Sequence, residues 1–342
     1  MKIKLVDIAK KMGISTAAVS MGINNKDGVS KETREKVLKV AEELGYKIHK
    51  KNVKNSTDTK RFIKLLRIKK HGLVVMETDF FAAVINGIEK QCKKIGYELL
   101  ISNINLNKED SKQLKNEYHS DIDGMIALCT ELDELDLVTY SKIKCPLVIL
   151  DSKSQYNIDT VLINNQKAVR QAVKYLCEKK HITIGYFKSS TRIYNFDSRF
   201  KSYCEAMTIN GLTQNDKNII KLEPTIQGAY RDMINYIEKN GKKNLASAYL
   251  ADNDNIALGA MNALKEKGVN FPEDVSIVGI DDMSFCTIIS PKLTTVRIYK
   301  EEMGKQSVKM LLDRINGDTE CSKKVEIDTL LIERNSVKDM NN

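Results

Sequence analysis

Tryptophan is absent from the 342 residues, histidine appears four times, and no apolar run approaches the roughly 20 residues that a membrane-spanning helix requires. The longest runs, such as PLVIL and MIALC, fall far short of that length, so no membrane partner is expected. Nor does MKIKLVDIAKKMG hold the apolar core of an export signal. Asp7, Lys10 and Lys11 interrupt it, and a cytoplasmic location is expected. The seven cysteines (92, 129, 145, 177, 204, 286 and 321) form no CxxC pair, which fits buried thiols in a reducing compartment better than a disulfide framework or a zinc site. His49, His71, His119 and His181 stand far apart, and HExxH, GxSxG, P-loop and GxGxxG motifs are all missing. Asp123, Asp151 and Asp281 flank strand patterns, but nothing in the sequence pairs them as acid and base. Neither a metal nor a cofactor is expected, and catalysis is unsupported.

What is present is 42% hydrophobic and 29% charged, the make-up of a soluble globular chain. Its length suggests a domain of roughly 250 to 300 residues plus an appendage, or two to three units. The net charge of +10 is concentrated at one end: residues 1–70 hold 19 Lys and Arg against 7 Asp and Glu, leaving 36 against 38 for the remainder. A basic head on a near-neutral body is the electrostatic footprint of a nucleic-acid-binding module, because neutralised phosphates release counterions. A solvated lysine-rich surface would give the same count, so charge alone does not decide.

Three short helical patterns fill the head. LVDIAKKMG spaces Leu5, Ile8, Ala9 and Met12 at helical intervals, and Gly13 supplies a tight turn. Ser15 is a good N-cap for a second helix that turns Ala18 or Val19 and Ile23 to one side. VSKETREKVLKVAEELGY opens at Ser30, carries Val37, Leu38, Val40, Ala41 and Leu44 as its apolar stripe, and stops at Gly45. Helix, glycine turn, helix is the helix-turn-helix spacing, in which the second helix enters the major groove. With Val19 and Ile23 inward, Thr16, Ala17, Ser20, Met21 and Asn24 form a small, uncharged outer face that can approach bases closely.

VDIAKKMGISTAAVSMGINN followed by VSKETREKVLKVAEELGY closely resembles the DNA-binding headpiece of the lactose/galactose repressor family of bacterial transcription regulators. The resemblance implies that Thr16, Ala17 and Met21 contact base edges and that Ser20, Asn24, Ser30 and Thr33 hold phosphates. Many family members carry hydrogen-bonding side chains at the positions of Ala17 and Met21, whereas Ala and Met offer apolar contact, for instance to a thymine methyl. Residues 47–61 correspond to the family's hinge, whose helix wedges a leucine into the minor groove. Here Val53 is the one candidate wedge, and Lys50, Lys51 and Lys54 remain able to hold phosphates. A basic flexible tether accounts for this composition equally well.

From Phe62 onward, strand-like runs alternate with helix-period segments, which predicts parallel, doubly wound α/β sheets with ligands at the carboxyl ends of the strands. The family resemblance continues through TDFFAAVINGIE, VILDS, YLCEKKHITIGYF and RFKSYCEAM, although Lys180 stands where family members usually have glycine. It is most specific over NDNIALGAMNALKEKGVNFPEDVSIVGIDDMSFCTIISPKLTTVRIYKEEMGKQSVKMLLDRING. The implied architecture is a helix-turn-helix headpiece over 1–46, a basic hinge or linker over 47–61 and a two-lobed, periplasmic-binding-protein-like core over 62–342.

The resemblance also implies that Asp281 takes effector hydroxyls and that Arg199 binds the effector, with Asn195 and Asp197 beside it. Strand ends add Asn253 and Asp254, and Phe80 and Phe81 are candidates to stack on a ring. Phe80 and Phe81 suit the core as well as a cleft wall, Asp254 suits a helix N-terminus, and Asp282 suits a turn cap. His181, between a helix and a strand, reads as a packing residue. The expected function is a homodimeric, sequence-specific DNA-binding regulator, a repressor whose affinity for double-stranded operator DNA responds to a sugar or related metabolite between the lobes. A solute-binding protein of the same fold would show an export signal and no headpiece. A sugar-processing enzyme with a DNA-binding appendage would need a convergent acid/base pair.

Overall fold

The computed structural model describes residues 5–23, 28–44, 46, 60–75, 79–106, 121–318 and 320–341, apart from the side chain of residue 42. The chain divides into two compact units, Met1–Thr59 and Lys60–Asn342.

The first unit contains α1 (Leu5–Met12), α2 (Thr16–Ile23) and α3 (Lys31–Glu43). Gly13 adopts φ 68°, the left-handed conformation that lets the chain reverse between α1 and α2. The Ser15 hydroxyl then accepts the Ala18 N–H at 3.1 Å, and Ser30 accepts that of Thr33 at 3.1 Å, so each serine satisfies an orphan donor of the helix it opens. Ile8, Val19, Val37 and Ala41 are wholly buried together. Each large aliphatic side chain so buried contributes about 2 kcal/mol. Leu38, expected in the α3 stripe, is 38% exposed, because one step from Val37 rotates it about 100° away from the partners that Val37 and Ala41 meet.

The second unit is built on two six-stranded sheets. The first sheet comprises β1 (Phe62–Lys69), β2 (Glu98–Asn105), β3 (Ile122–Leu128), β4 (Leu147–Leu150), β5 (Asp159–Ile163) and, from far along the chain, β11 (Lys324–Ile327). Its order is β11-β5-β4-β3-β1-β2, parallel throughout. The second sheet comprises β6 (Ile184–Ser189), β7 (Ile219–Leu222), β8 (Ala248–Ala251), β9 (Ser276–Asp281), β10 (Thr294–Ile298) and β12 (Thr329–Ile332), in the order β12-β10-β9-β8-β6-β7. Here β12 pairs antiparallel with β10, a departure from the purely parallel expectation.

Helices α4 (Asp79–Lys94), α5 (Glu134–Tyr140) and α10 (Lys300–Ile315) belong with the first sheet. Helices α6 (Asn165–Glu178), α7 (Tyr194–Ile209), α8 (Ile226–Asn240) and α9 (Asp254–Glu266) belong with the second. The chain therefore passes between lobes after β5, after β10 and after β11. The sequence KEDSKQLKNEYH reads as one of the helix-period segments of the alternation, and it lies outside the described residues.

The strands explain their own burial. Val148, Ile149 and Leu150 of β4, and Ile277, Val278 and Ile280 of β9, are fully buried, as strands covered on both faces require. Helices α4 and α10 cross at Gly87 and Gly304. A Cβ on Gly87 would stand 2.1 Å from the Glu301 carbonyl oxygen, and one on Gly304 would stand 2.2 Å from that of Val84, so only glycine fits at either point. His181 is buried, its Nδ1 3.0 Å from the Ser247 hydroxyl and its Nε2 3.2 Å from the Lys338 carbonyl, and burial lowers its pKa. No helix among the described residues is long and apolar enough to cross a membrane.

Candidate functional site

In the first unit, α2 carries no charged side chain. Thr16 and Ala17 are exposed, Val19 is buried, and Ser20 and Met21 are half-buried. The Met21 sulfur lies so close to Gly28 that a Cβ there would approach it to 2.9 Å. Ser30 and Thr33 share a hydroxyl–hydroxyl hydrogen bond of 2.8 Å at the start of α3. The other expected DNA contacts, Asn24, Lys50, Lys51, Val53 and Lys54, lie outside the described residues.

In the second unit, strand order reverses between β1 and β3 in one sheet and between β6 and β8 in the other, the switch points where open α/β sheets seat ligands. A cavity of about 440 Å³ lies at these carboxyl ends, with Phe80, Phe81, Asn195, Arg199, Asn253 and Asp281 on its walls. Arg199, on the first turns of α7, is 3% exposed. Its Nε donates to Asn165 Oδ1 at 2.8 Å, its Nη1 donates to the Asp252 carbonyl, and its Nη2 stands 3.5 Å from Asp281 Oδ1. A guanidinium held on two sides in this way presents its remaining edge in a fixed direction.

Asp281 ends β9 at φ 128°, and Asp282 follows at φ 54°. Asp151, just past β4, adopts φ 66°. Non-glycine residues in this region cost about 1 to 3 kcal/mol each and collect at ligand sites. Burial pushes the Asp281 carboxyl up to about 7 despite the nearby Arg199, with Asp254 adding to the rise and Lys300 opposing it. Lys300 Nζ donates to the Asp281 carbonyl and stands 5.6 Å from the centre of the Phe80 ring. Phe80 and Phe81 are 8% and 3% exposed and meet edge to face at 5.0 Å, so they fill the core of the first lobe and wall the cavity at once.

Two expected effector residues do not reach this cavity. Asp254 is wholly buried inside the second lobe, where its carboxylate accepts from the Met283 N–H at 2.9 Å and the Thr295 hydroxyl at 2.6 Å, with the Cys286 thiol at 3.1 Å. Those partners satisfy it, and Gly279 leaves the room: a Cβ there would stand 2.0 Å from Asp254 Oδ1. Asp197 points outward to Arg192 Nε at 2.8 Å, because its place on α7 is about half a turn from those of Asn195 and Arg199. It borders a wider outer cavity of about 730 Å³. Asn253 does line the inner cavity while capping α9, its side chain accepting the Ile256 N–H at 2.9 Å. Asp282 is bound instead by Arg297 at 2.7 Å and Arg334 at 2.6 Å. These two guanidiniums outweigh its burial and hold its pKa below the usual range.

Thr130 and Asn165 are not singled out by the sequence, and Asp151 stands out there only as an acid flanking a strand. Asp151 receives the Thr130 hydroxyl at 2.6 Å and Asn195 Nδ2 at 2.9 Å, and Asn195 Oδ1 accepts Asn165 Nδ2 at 2.8 Å. A hydrogen-bonded chain thus runs from the first lobe through Asn195 and Asn165 to Arg199. The strand end in PLVILDS was a visible signal for Asp151; Asn165 had none.

A three-helix head with an uncharged second helix, joined in one chain to a two-lobed α/β core with a polar interlobe cavity, defines a ligand-responsive DNA-binding regulator. The description "Bacterial regulatory proteins, lacI family" matches residues 4–48, and "Periplasmic binding protein-like domain" matches residues 173–337. The HTH-type transcriptional repressor PurR of Pasteurella multocida (strain Pm70) is 31% identical over 340 residues, covering 97% of this chain and 98% of that one. The chain belongs to the lacI family of bacterial regulatory proteins and is a DNA-binding repressor with an effector-binding core, not an enzyme.

Among solved structures, a LacI family transcriptional regulator from Enterococcus faecium with bound ribose aligns with a TM-score of 0.68 at 25% identity, covering 82% of this chain and all of that one. The lac repressor dimer bound to operator and the anti-inducer ONPF aligns with a TM-score of 0.72 at 21% identity, over 99% of this chain and 100% of that one, a likeness of fold.

Proposed function

We propose that this protein represses transcription in the cytoplasm as a homodimer on a pseudo-palindromic operator, and that a small polar metabolite bound in the inner cavity sets its affinity for DNA. The observation that carries the effector half is Arg199, buried and held by Asn165 and the Asp252 carbonyl with an edge toward Asp281. A fixed donor beside an acceptor suits adjacent hydroxyl groups, and the Phe80 and Phe81 rings suit the apolar face of a sugar or a flat base. The relative from Enterococcus faecium with bound ribose supports a sugar-sized ligand. Asn195, Asn253 and Asp281 complete the reading of the inner site.

For DNA, Thr16, Ala17 and Met21 read base edges, and Ser20, Asn24, Ser30 and Thr33 hold phosphates together with Lys50, Lys51 and Lys54 of the 47–61 linker. Val53 is the candidate wedge in the minor groove. Two matched half-sites supply the contacts that one short helix lacks, which favours a dimer. A thermal-shift screen of sugars and metabolites, repeated on Asp281→Ala, tests the effector site. A ligand that stabilises the wild type and leaves the variant unmoved supports the assignment; equal stabilisation of both refutes it.

A further inference from the structure

The switch point of the first sheet is occupied by a side chain of the protein itself. Glu131 follows β3, its side chain has no solvent exposure, and its two oxygens accept five backbone N–H groups. Oε2 receives those of Lys70 at 2.9 Å, His71 at 3.0 Å and Gly72 at 2.8 Å, while Oε1 receives those of Val74 at 2.9 Å and Val75 at 2.8 Å. His71 Nδ1 also lies 3.3 Å from Oε1, but that nitrogen accepts the Leu73 N–H at 3.2 Å, and burial lowers the His71 pKa. The carboxylate is therefore balanced by peptide dipoles and not by an imidazolium. Burial alone would raise its pKa; the N–H groups of Val75, Gly72, Val74 and Lys70 together outweigh burial and lower it.

Successive N–H groups turned on one point make a nest that binds carboxylate or phosphate, and a nest at a switch point is where an anionic ligand would ordinarily seat. We propose that Glu131 is a tethered anion that fills this nest. It positions the 70–75 loop, and with it the Val74 wall of the inner cavity, and it denies this pole of the cleft to a charged ligand group. The effector is accordingly an uncharged polyhydroxyl compound and not a sugar phosphate. This second consequence rests on reading the cleft as the effector site; the nest itself does not.

The outer cavity of about 730 Å³ borders Glu131, so truncating the side chain opens a route by which a small carboxylate can replace it. Full-length Glu131→Ala is melted in sodium acetate and in sodium chloride of equal ionic strength. The variant melts below the wild type and regains about 2 °C or more in about 100 mM acetate but not in chloride, while the wild type responds to neither. Glu131→Gln, which fills the nest with an amide, gains nothing from acetate. Equal acetate responses in wild type and Glu131→Ala, or none in the variant, overturn the tethered-anion assignment.

If Glu131→Ala does not fold, amide hydrogen exchange of the wild type decides. The Val74 and Val75 amides are slow to exchange if the nest is closed, and exchange at free-loop rates overturns it. Ribose 5-phosphate produces no thermal shift in the wild type; a shift at or above that of ribose overturns the exclusion of charged ligands while leaving the nest standing. Failure of the effector reading itself registers separately, in the Asp281→Ala screen.

Discussion

Asn195 reaches across the cleft, its Nδ2 standing 2.9 Å from Oδ1 of Asp151. Asn195 belongs to the lobe of β6 and Asp151 to that of β4, so this bond ties the lobes directly. Both residues are nearly without solvent exposure. Burial raises the Asp151 pKa, and the Thr130 and Asn195 hydrogen bonds oppose the rise, as does Arg199.

Asn195→Ala leaves the buried Asp151 carboxylate short of a donor and should destabilise the core by about 2 kcal/mol in urea unfolding. The sign of the pH dependence follows from the acid. With its folded pKa raised further in the variant, Asp151 costs more stability when ionised, so the loss should grow as pH rises past the wild-type folded pKa, which burial already holds above the usual carboxylate range. A loss that shrinks with rising pH would show that Asn195 does not support the ionised Asp151.

The Asp281 carboxyl, raised to about 7, sets a second pH dependence. If the ionised form accepts effector hydroxyls, affinity should rise with pH and level off above about 7, and Asp281→Asn should flatten the profile. Calorimetric titration of a neutral ligand at pH 6, 7 and 8 checks this; affinity that falls with pH would mean that the protonated acid is the binding form.

Lys180 adopts φ 64°, a conformation that costs an L-residue about 1 kcal/mol and glycine almost nothing. It stands where the sequence resemblance has glycine. Lys180→Gly should therefore stabilise the core by about 1 kcal/mol, offset in part by the freer unfolded chain, and an unchanged or lower melting point would contradict this.

The alternation of apolar strands with helical periods located most elements of both lobes, because strands buried on two faces leave continuous apolar runs such as PLVIL. It did not reveal β7, β11 or β12, nor the three passages between lobes, since periodicity records which face is buried and not which sheet receives it. Arg199 and Asp281, expected from resemblance and strand ends, both line the inner cavity. Asp254 and Asp197 were misplaced for opposite reasons: the direction of a side chain at a helix start depends on tertiary partners, which are Met283 and Thr295 for the first and Arg192 for the second. Glu131 carried no sequence signal, because its partners are backbone N–H groups about 60 residues away, whose convergence no side-chain pattern encodes.

In the headpiece, exposed Thr16 and Ala17 on an uncharged helix predict that base preference and overall affinity separate. Thr16→Ala should alter the preferred operator sequence, at about 1 kcal/mol per affected base pair, while Lys51→Ala should weaken all sequences alike and reduce the salt slope. Binding of selected duplexes over a salt series distinguishes the two. If Lys51→Ala changes base preference and Thr16→Ala does nothing, the groove-facing assignment fails.

On the proposed function, effector occupancy of the inner cavity changes the hold on DNA. Fluorescence anisotropy on an operator selected from random duplexes, with and without a saturating ligand from the thermal-shift screen, measures it most directly. A shift in operator Kd of about 5- to 150-fold in the wild type, lost in Asp281→Ala, is the predicted result. Superimposable isotherms for the wild type with and without saturating ligand would contradict it.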